Sequence, residues 1–130
     1  MEKFRKLLAL SFCLVVLTAL FSCSKDDDKN NGPRNVEFKV TASSNASIST
    51  VVHSNVQGEA TTLTSLSGNT WSTKLTVNAD VQAISLGANA TATDATGTLK
   101  VQILIDGVVV KENTSSGQYL SATTVYMVTK

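Results

Sequence analysis

The sequence predicts an all-β domain, an antiparallel sandwich of seven or eight short strands, and three observations predict it. Apolar and polar residues alternate with period two over much of residues 34–130. An Asp106-Gly107 pair separates two strand-like runs, as the two-residue turn of a right-twisted hairpin requires. No stretch beyond the first 22 residues carries the 3.6-residue period of an amphipathic helix. Frequent turn residues and β-branched side chains favour the sandwich. A small closed barrel is the other architecture such a pattern permits.

The elements follow in order. In "VEFKVTA", Val36, Phe38 and Val40 face inward while Glu37, Lys39 and Thr41 face out. "ASISTVVH" places Ile48, Thr50 and Val52 on one face, and "WSTKLTV" gathers Trp71, Leu75 and Val77 opposite Lys74 and Thr76. "VQAISLGANAT" reads as a less regular strand. "GTLKVQILI" sets Leu99, Val101, Ile103 and Ile105 against Lys100 and Gln102, and after the Asp-Gly turn comes "VVVKE". The segment Thr114 to Gly117 reads as a loop. "QYLSATTVYMV" closes the chain with Leu120, Ala122, Thr124, Tyr126 and Val128 on one face, which puts Tyr119 on the other.

The N-terminus has a different grammar. Lys3, Arg5 and Lys6 precede the apolar run Leu7 to Phe21, the layout of a secretory signal peptide. That run is shorter than the roughly 20 residues a membrane-crossing helix needs. Residues 20–23, Leu-Phe-Ser-Cys, resemble the lipobox of bacterial lipoproteins. The resemblance implies cleavage between Ser22 and Cys23 and a diacylglyceryl thioether, with further acylation of the palmitate type, on Cys23. Phe21 departs from the commoner small or branched residue of that motif. Ser24, Lys25, Asp26, Asp27 and Asp28 resemble the acidic export signal of surface lipoproteins of the Bacteroidetes, which implies an outer-membrane lipoprotein displayed at the cell surface. Simple solvation of a tether is the plainer reading of the aspartates. The division expected is a signal peptide over 1–22, a lipidated cysteine with a flexible tether over 23–33, and one domain over 34–130. Cys13 leaves with the signal, so the mature chain holds one cysteine and no internal disulfide.

The domain, roughly 97 residues, has room for one modest core. Six basic residues balance six acidic ones (Arg34, Lys39, Lys74, Lys100, Lys111, Lys130; Glu37, Glu59, Asp80, Asp94, Asp106, Glu112), which argues against nucleic acid as a partner. His53 is the only histidine and is expected to be exposed or to sit at a hairpin end. Metal binding needs three or four converging ligands, and the acids lack the dense spacing of a calcium loop, so no metal or cofactor is expected. Asp80, Asp94 and Asp106 read as turn and loop residues. There is no Gly-x-Ser-x-Gly elbow, and an enzyme is not expected. Trp71 is the candidate ligand contact, a ring able to stack on a sugar, although its parity with Leu75 and Val77 favours capping of the core.

The stretch from Trp71 to Thr123 resembles the extracytoplasmic domain of the mycobacterial membrane protein small family, MmpS. The likeness rests on Trp71 opening a strand, the hairpin Ile105-Asp106-Gly107, and the segment Glu112 to Tyr119. It implies an immunoglobulin-like sandwich. Val101 stands where that family would place a cysteine, and lipid replaces its N-terminal helix, so its partnership with exporters is not carried over. The function expected is a lipid-anchored, non-enzymatic accessory or interaction module of the envelope, held to the membrane through Cys23, with an envelope protein as partner. The alternatives are a domain binding a glycan or small ligand, and a structural protein pairing with its own copies through strand edges.

Overall fold

The computed structural model describes residues 32–128. Eight strands are present: β1 (Arg34–Ala42), β2 (Ala46–Ser54), β3 (Ala60–Leu63), β4 (Thr70–Val77), β5 (Ala83–Ala92), β6 (Thr98–Ile105), β7 (Val108–Ser116) and β8 (Tyr119–Met127). They form two antiparallel four-stranded sheets, sheet I in the order β4-β1-β6-β7 and sheet II in the order β3-β2-β5-β8. The predicted sandwich is therefore what the chain forms. Its first five strands pair as B, C, C′, E and F of an immunoglobulin sandwich do: β1 with β4, and β2 with β3 and β5. β6 takes the place of strand A beside β1, and β8 that of strand G beside β5.

The core lies between the sheets. Val36, Phe38 and Val40 of β1 and Leu99, Val101 and Ile103 of β6 meet Ile48 and Val51 of β2 and Ile84 and Leu86 of β5, all fully or almost fully buried. Burial of each such side chain contributes about 1.5–3 kcal/mol. Toward one end sheet II thins to Ala88, Ala90, Ala92 and Ala122, all buried, so the sheets are spaced there by small side chains.

One inner face departs from simple alternation. β2 carries a bulge between Ile48 and Thr50, so the residues that point inward are Ile48, Val51 and His53, while Thr50 and Val52 turn outward. The extra residue reverses parity beyond it, as β-bulges do. Its cause is tertiary. The segment leading from β3 to β4 runs beside the bulge, where the Ile48 N–H donates to the Gly68 carbonyl (2.8 Å) and the Leu66 N–H to the Ser49 carbonyl (3.3 Å). The Ser49 hydroxyl also donates to the Asn89 carbonyl of β5 (3.2 Å).

Two further differences concern boundaries. β3 is only four residues long and carries no burial contrast strong enough to announce a strand. It forms because Asn55 builds the preceding turn: its side-chain oxygen accepts from the N–H groups of Gln57 (2.9 Å) and Glu59 (3.0 Å). Thr114 to Ser116, expected in a loop, belong to β7, where they pair with Thr98 to Lys100 of β6. The Asp-Gly hairpin is as expected, with Asp106 at φ 51° and Gly107 at φ 81°, the left-handed pair of a type I′ turn. β7 and β8 are joined by Gly117-Gln118 alone yet hydrogen-bond in different sheets. They lie side by side, and the Asn113 amide donates to the Thr123 carbonyl (3.0 Å), which ties the sandwich together along that seam.

Candidate functional site

Trp71, the second residue of β4, lies opposite Val40 of β1 and faces inward, so its ring reaches the core from the sheet edge. It is half-buried and packs on the core cluster, as its parity with Leu75 and Val77 implied. The residue it meets is His53, which reaches across from sheet II. The rings of His53 and Trp71 lie 5.4 Å apart, and on the other side His53 lies 5.3 Å from the Phe38 ring. These separations fall within the range of favourable aromatic contacts.

His53 corrects an expectation. It does sit near the end of the β2–β3 hairpin, but it is 9% exposed and faces the inside of the sandwich rather than solvent. The β2 bulge is the reason, because it turns position 53 inward. The imidazole Nδ1 lies 2.9 Å from the Ser54 carbonyl, and since a carbonyl can only accept, Nδ1 bears the proton. That bond satisfies one polar edge of the ring while its faces are used by Phe38 and Trp71. Among the described residues no acid or nucleophile hydrogen-bonds to it, and its contacts are those of a packed core ring.

Outside Trp71, a shallow hollow of about 320 Å³ is lined by Lys39, Val40, Thr41, Thr70, Trp71 and Ser72. It brings one aromatic edge beside hydroxyls and one ammonium, chemistry that suits a neutral or anionic polyol. A second hollow, about 390 Å³, lies at the other end of the same two strands between Glu37, Lys74 and the Asp106-Gly107 turn. Here Glu37 pairs with Lys39 (3.7 Å) and Lys74 (3.8 Å), so its carboxylate is already engaged. A third, about 270 Å³, is a trough on the outer face of sheet II over Gly87, between Thr50, Val52, Asn89 and Thr123. Among the described residues, no group of three metal-ligating side chains converges.

The most extensive polar network lies at one end of the sandwich, joining the β1–β2 turn to the β5–β6 loop. The Ser43 hydroxyl donates to Asn45 Oδ1 (2.6 Å), and the Asn45 amide donates to Asp94 Oδ1 (3.2 Å) and Thr96 Oγ1 (3.0 Å). The Thr96 hydroxyl and N–H both donate to the Asp94 carboxylate, the latter at 2.8 Å. Those Thr96 bonds, with help from Asn45, hold the Asp94 carboxyl below its ordinary pKa. The network is a loop clasp, which agrees with the loop role expected of Asp94.

Tyr119 and Tyr126 take opposite faces of β8, Tyr119 projecting into solvent and Tyr126 half-buried on the core. Asp106 is the turn residue the sequence marked. Ser22, Cys23, Ser24, Lys25, Asp26, Asp27 and Asp28 lie outside the described residues, as does the signal peptide. No protein-family model matches the chain, and no curated protein matches it either.

Proposed function

We propose that this chain is a lipid-anchored outer-membrane protein whose β-sandwich acts at the cell surface by non-covalent contact, as an accessory or interaction module. The observation that carries the proposal is the position of Cys23, directly after the apolar run Leu7–Phe21 and the small Ser22. The first strand begins at Arg34, which leaves ten residues, 24–33, as the tether. Stretched out, ten residues reach at most about 33–36 Å, enough to lift a small domain clear of lipid headgroups. Two or three acyl chains on one cysteine hold a protein stably where a single chain holds it only marginally. The likeness to the MmpS domain adds a sandwich of the same type and nothing about a transport partner.

The test is metabolic labelling with a palmitate analogue in the producing bacterium. The wild-type chain takes up label and fractionates with the outer membrane, and Cys23→Ala does neither. Normal maturation of Cys23→Ala would refute the anchor. Proteinase K on intact cells tests display, since a domain fully protected from it faces the periplasm.

A second reading, glycan binding at Trp71, is favoured by the half-buried ring beside the hydroxyls of Thr41, Thr70 and Ser72. It predicts quenching or shift of tryptophan emission on adding a recognised oligosaccharide, lost in Trp71→Leu. Emission unmoved across a broad glycan panel counts against it.

A further inference from the structure

The strands of sheet II contain no Asp, Glu, Lys or Arg, whereas those of sheet I contain Arg34, Glu37, Lys39, Lys74, Lys100, Lys111 and Glu112. The outer face of sheet II is accordingly a neutral surface of small hydroxyl, amide and apolar side chains. It has relief. Gly87, lacking a side chain, opens the trough of about 270 Å³ at its centre. Beside the trough the outward side chains of β8 stand up: Val125 is 45% exposed, Met127 62% and Tyr119 81%. Val125 is paired with Ser85, two residues along β5 from Gly87, so knob and hollow are neighbours about 8 Å apart.

From this geometry we infer that the outer face of sheet II binds the same face of a second copy of this chain, making a two-fold dimer. A two-fold contact sets a surface against itself, so any charge on it meets its own like charge. A face without charges meets no such repulsion, and adjacent knob and hollow let Val125 of each copy enter the Gly87 trough of the other. The face is also large enough. Four strands spaced about 4.8 Å apart and up to ten residues long cover roughly 500 Å² per copy, about 1,000 Å² for the pair, which is the lower bound for a stable interface. This mode differs from edge-to-edge strand pairing, and it concerns the folded domain whether or not Cys23 is acylated.

The experiment is sedimentation velocity of the full chain purified from its producing cells, in detergent density-matched to the buffer, over a concentration series. Wild type is expected to sediment as a dimer. Val125→Lys places two ammonium groups in the contact and weakens dimerisation roughly tenfold or more. Mixing V125K with V125D restores the dimer, which a misfolded variant would not do. Lys74→Glu, on the other sheet, leaves dimerisation unchanged. A wild-type monomer throughout the series, or V125K dimerising like wild type, overturns the proposal. So does a monomer whose sheet II face, mapped by V125K, proves to bind a neutral glycan instead.

Discussion

Sheet I carries seven charged side chains on its strands and sheet II carries none, although both contribute mainly apolar faces to the shared core. Core formation asks only for the inward set: Phe38 and Ile103 from one sheet, Ile48, Ile84 and Leu86 from the other. The outward set is free to answer other demands. In sheet I it answers solubility, with Glu37 held between Lys39 and Lys74 and Gln102 donating to Glu112 (3.0 Å). Such exposed pairs contribute little to stability. Sheet II carries no such charges and exposes Val125, Met127 and Tyr119, whereas sheet I exposes Val108 and Val109 beside its charged residues. The same architecture thus offers one face that bears charge and another that bears none.

The largest expected effect tests which residues belong to the inner face of sheet II. Val51→Lys puts an ammonium group into the closed core and should cost more than about 4 kcal/mol, enough to unfold a small domain. Val52→Lys, one residue on and facing outward, should cost less than about 1 kcal/mol. Urea denaturation of both variants gives the comparison, and a larger cost for Val52→Lys than for Val51→Lys would mean that β2 has no parity reversal. Next comes Phe38→Ala, which removes the ring that joins sheet I to His53 of sheet II. A loss of about 3–5 kcal/mol is expected from the cavity. A loss below 1 kcal/mol would show that the sheets are not coupled through that ring.

A smaller effect is expected where the loops of the two sheets meet. A Cβ on Gly97 would lie 2.3 Å from Ala92 Cβ and 2.6 Å from the Gly117 carbonyl oxygen, so Gly97→Ala should cost about 1–3 kcal/mol through forced displacement. Thermal unfolding of G97A that matches wild type would show the junction to be loose. The smallest effect belongs to the Asp94 clasp. Its folded pKa is depressed, so the folded chain holds the proton less tightly than the unfolded chain. Its contribution is present at neutral pH and is lost as pH falls through the lowered value, below about pH 4. Asp94→Asn should therefore have a flatter Tm in that acid range. An unchanged acid slope would mean that the Thr96 bonds do not bias the carboxyl.

Much of this was legible in the row of residues. β1 and β8 obey strict alternation, β6 does so as far as Ile103, beyond which Leu104 is buried as well, and the Asp106-Gly107 turn fixes one hairpin, because two residues with positive φ admit few other conformations. The inward orientation of Trp71 followed from its parity with Leu75 and Val77. His53 was not legible. A lone histidine in "VVHS" reads as polar, and only the bulge at Ser49 turns it between Phe38 and Trp71. No local signal announces that bulge, since its partners are backbone groups of Leu66 and Gly68 that lie far along the chain.

The sequence by itself determined the fold class, most inner faces, and the N-terminal layout on which lipid attachment at Cys23 is proposed. Each of these follows from local periodicity or a contiguous motif. Tertiary structure alone decided the segregation of charge. Its six acidic and six basic residues look balanced along the domain, but strands distant in sequence pair into sheets, and pairing sorted every charged strand residue onto one of them. Composition is a sum over the chain, whereas a surface is chosen by which strands become neighbours.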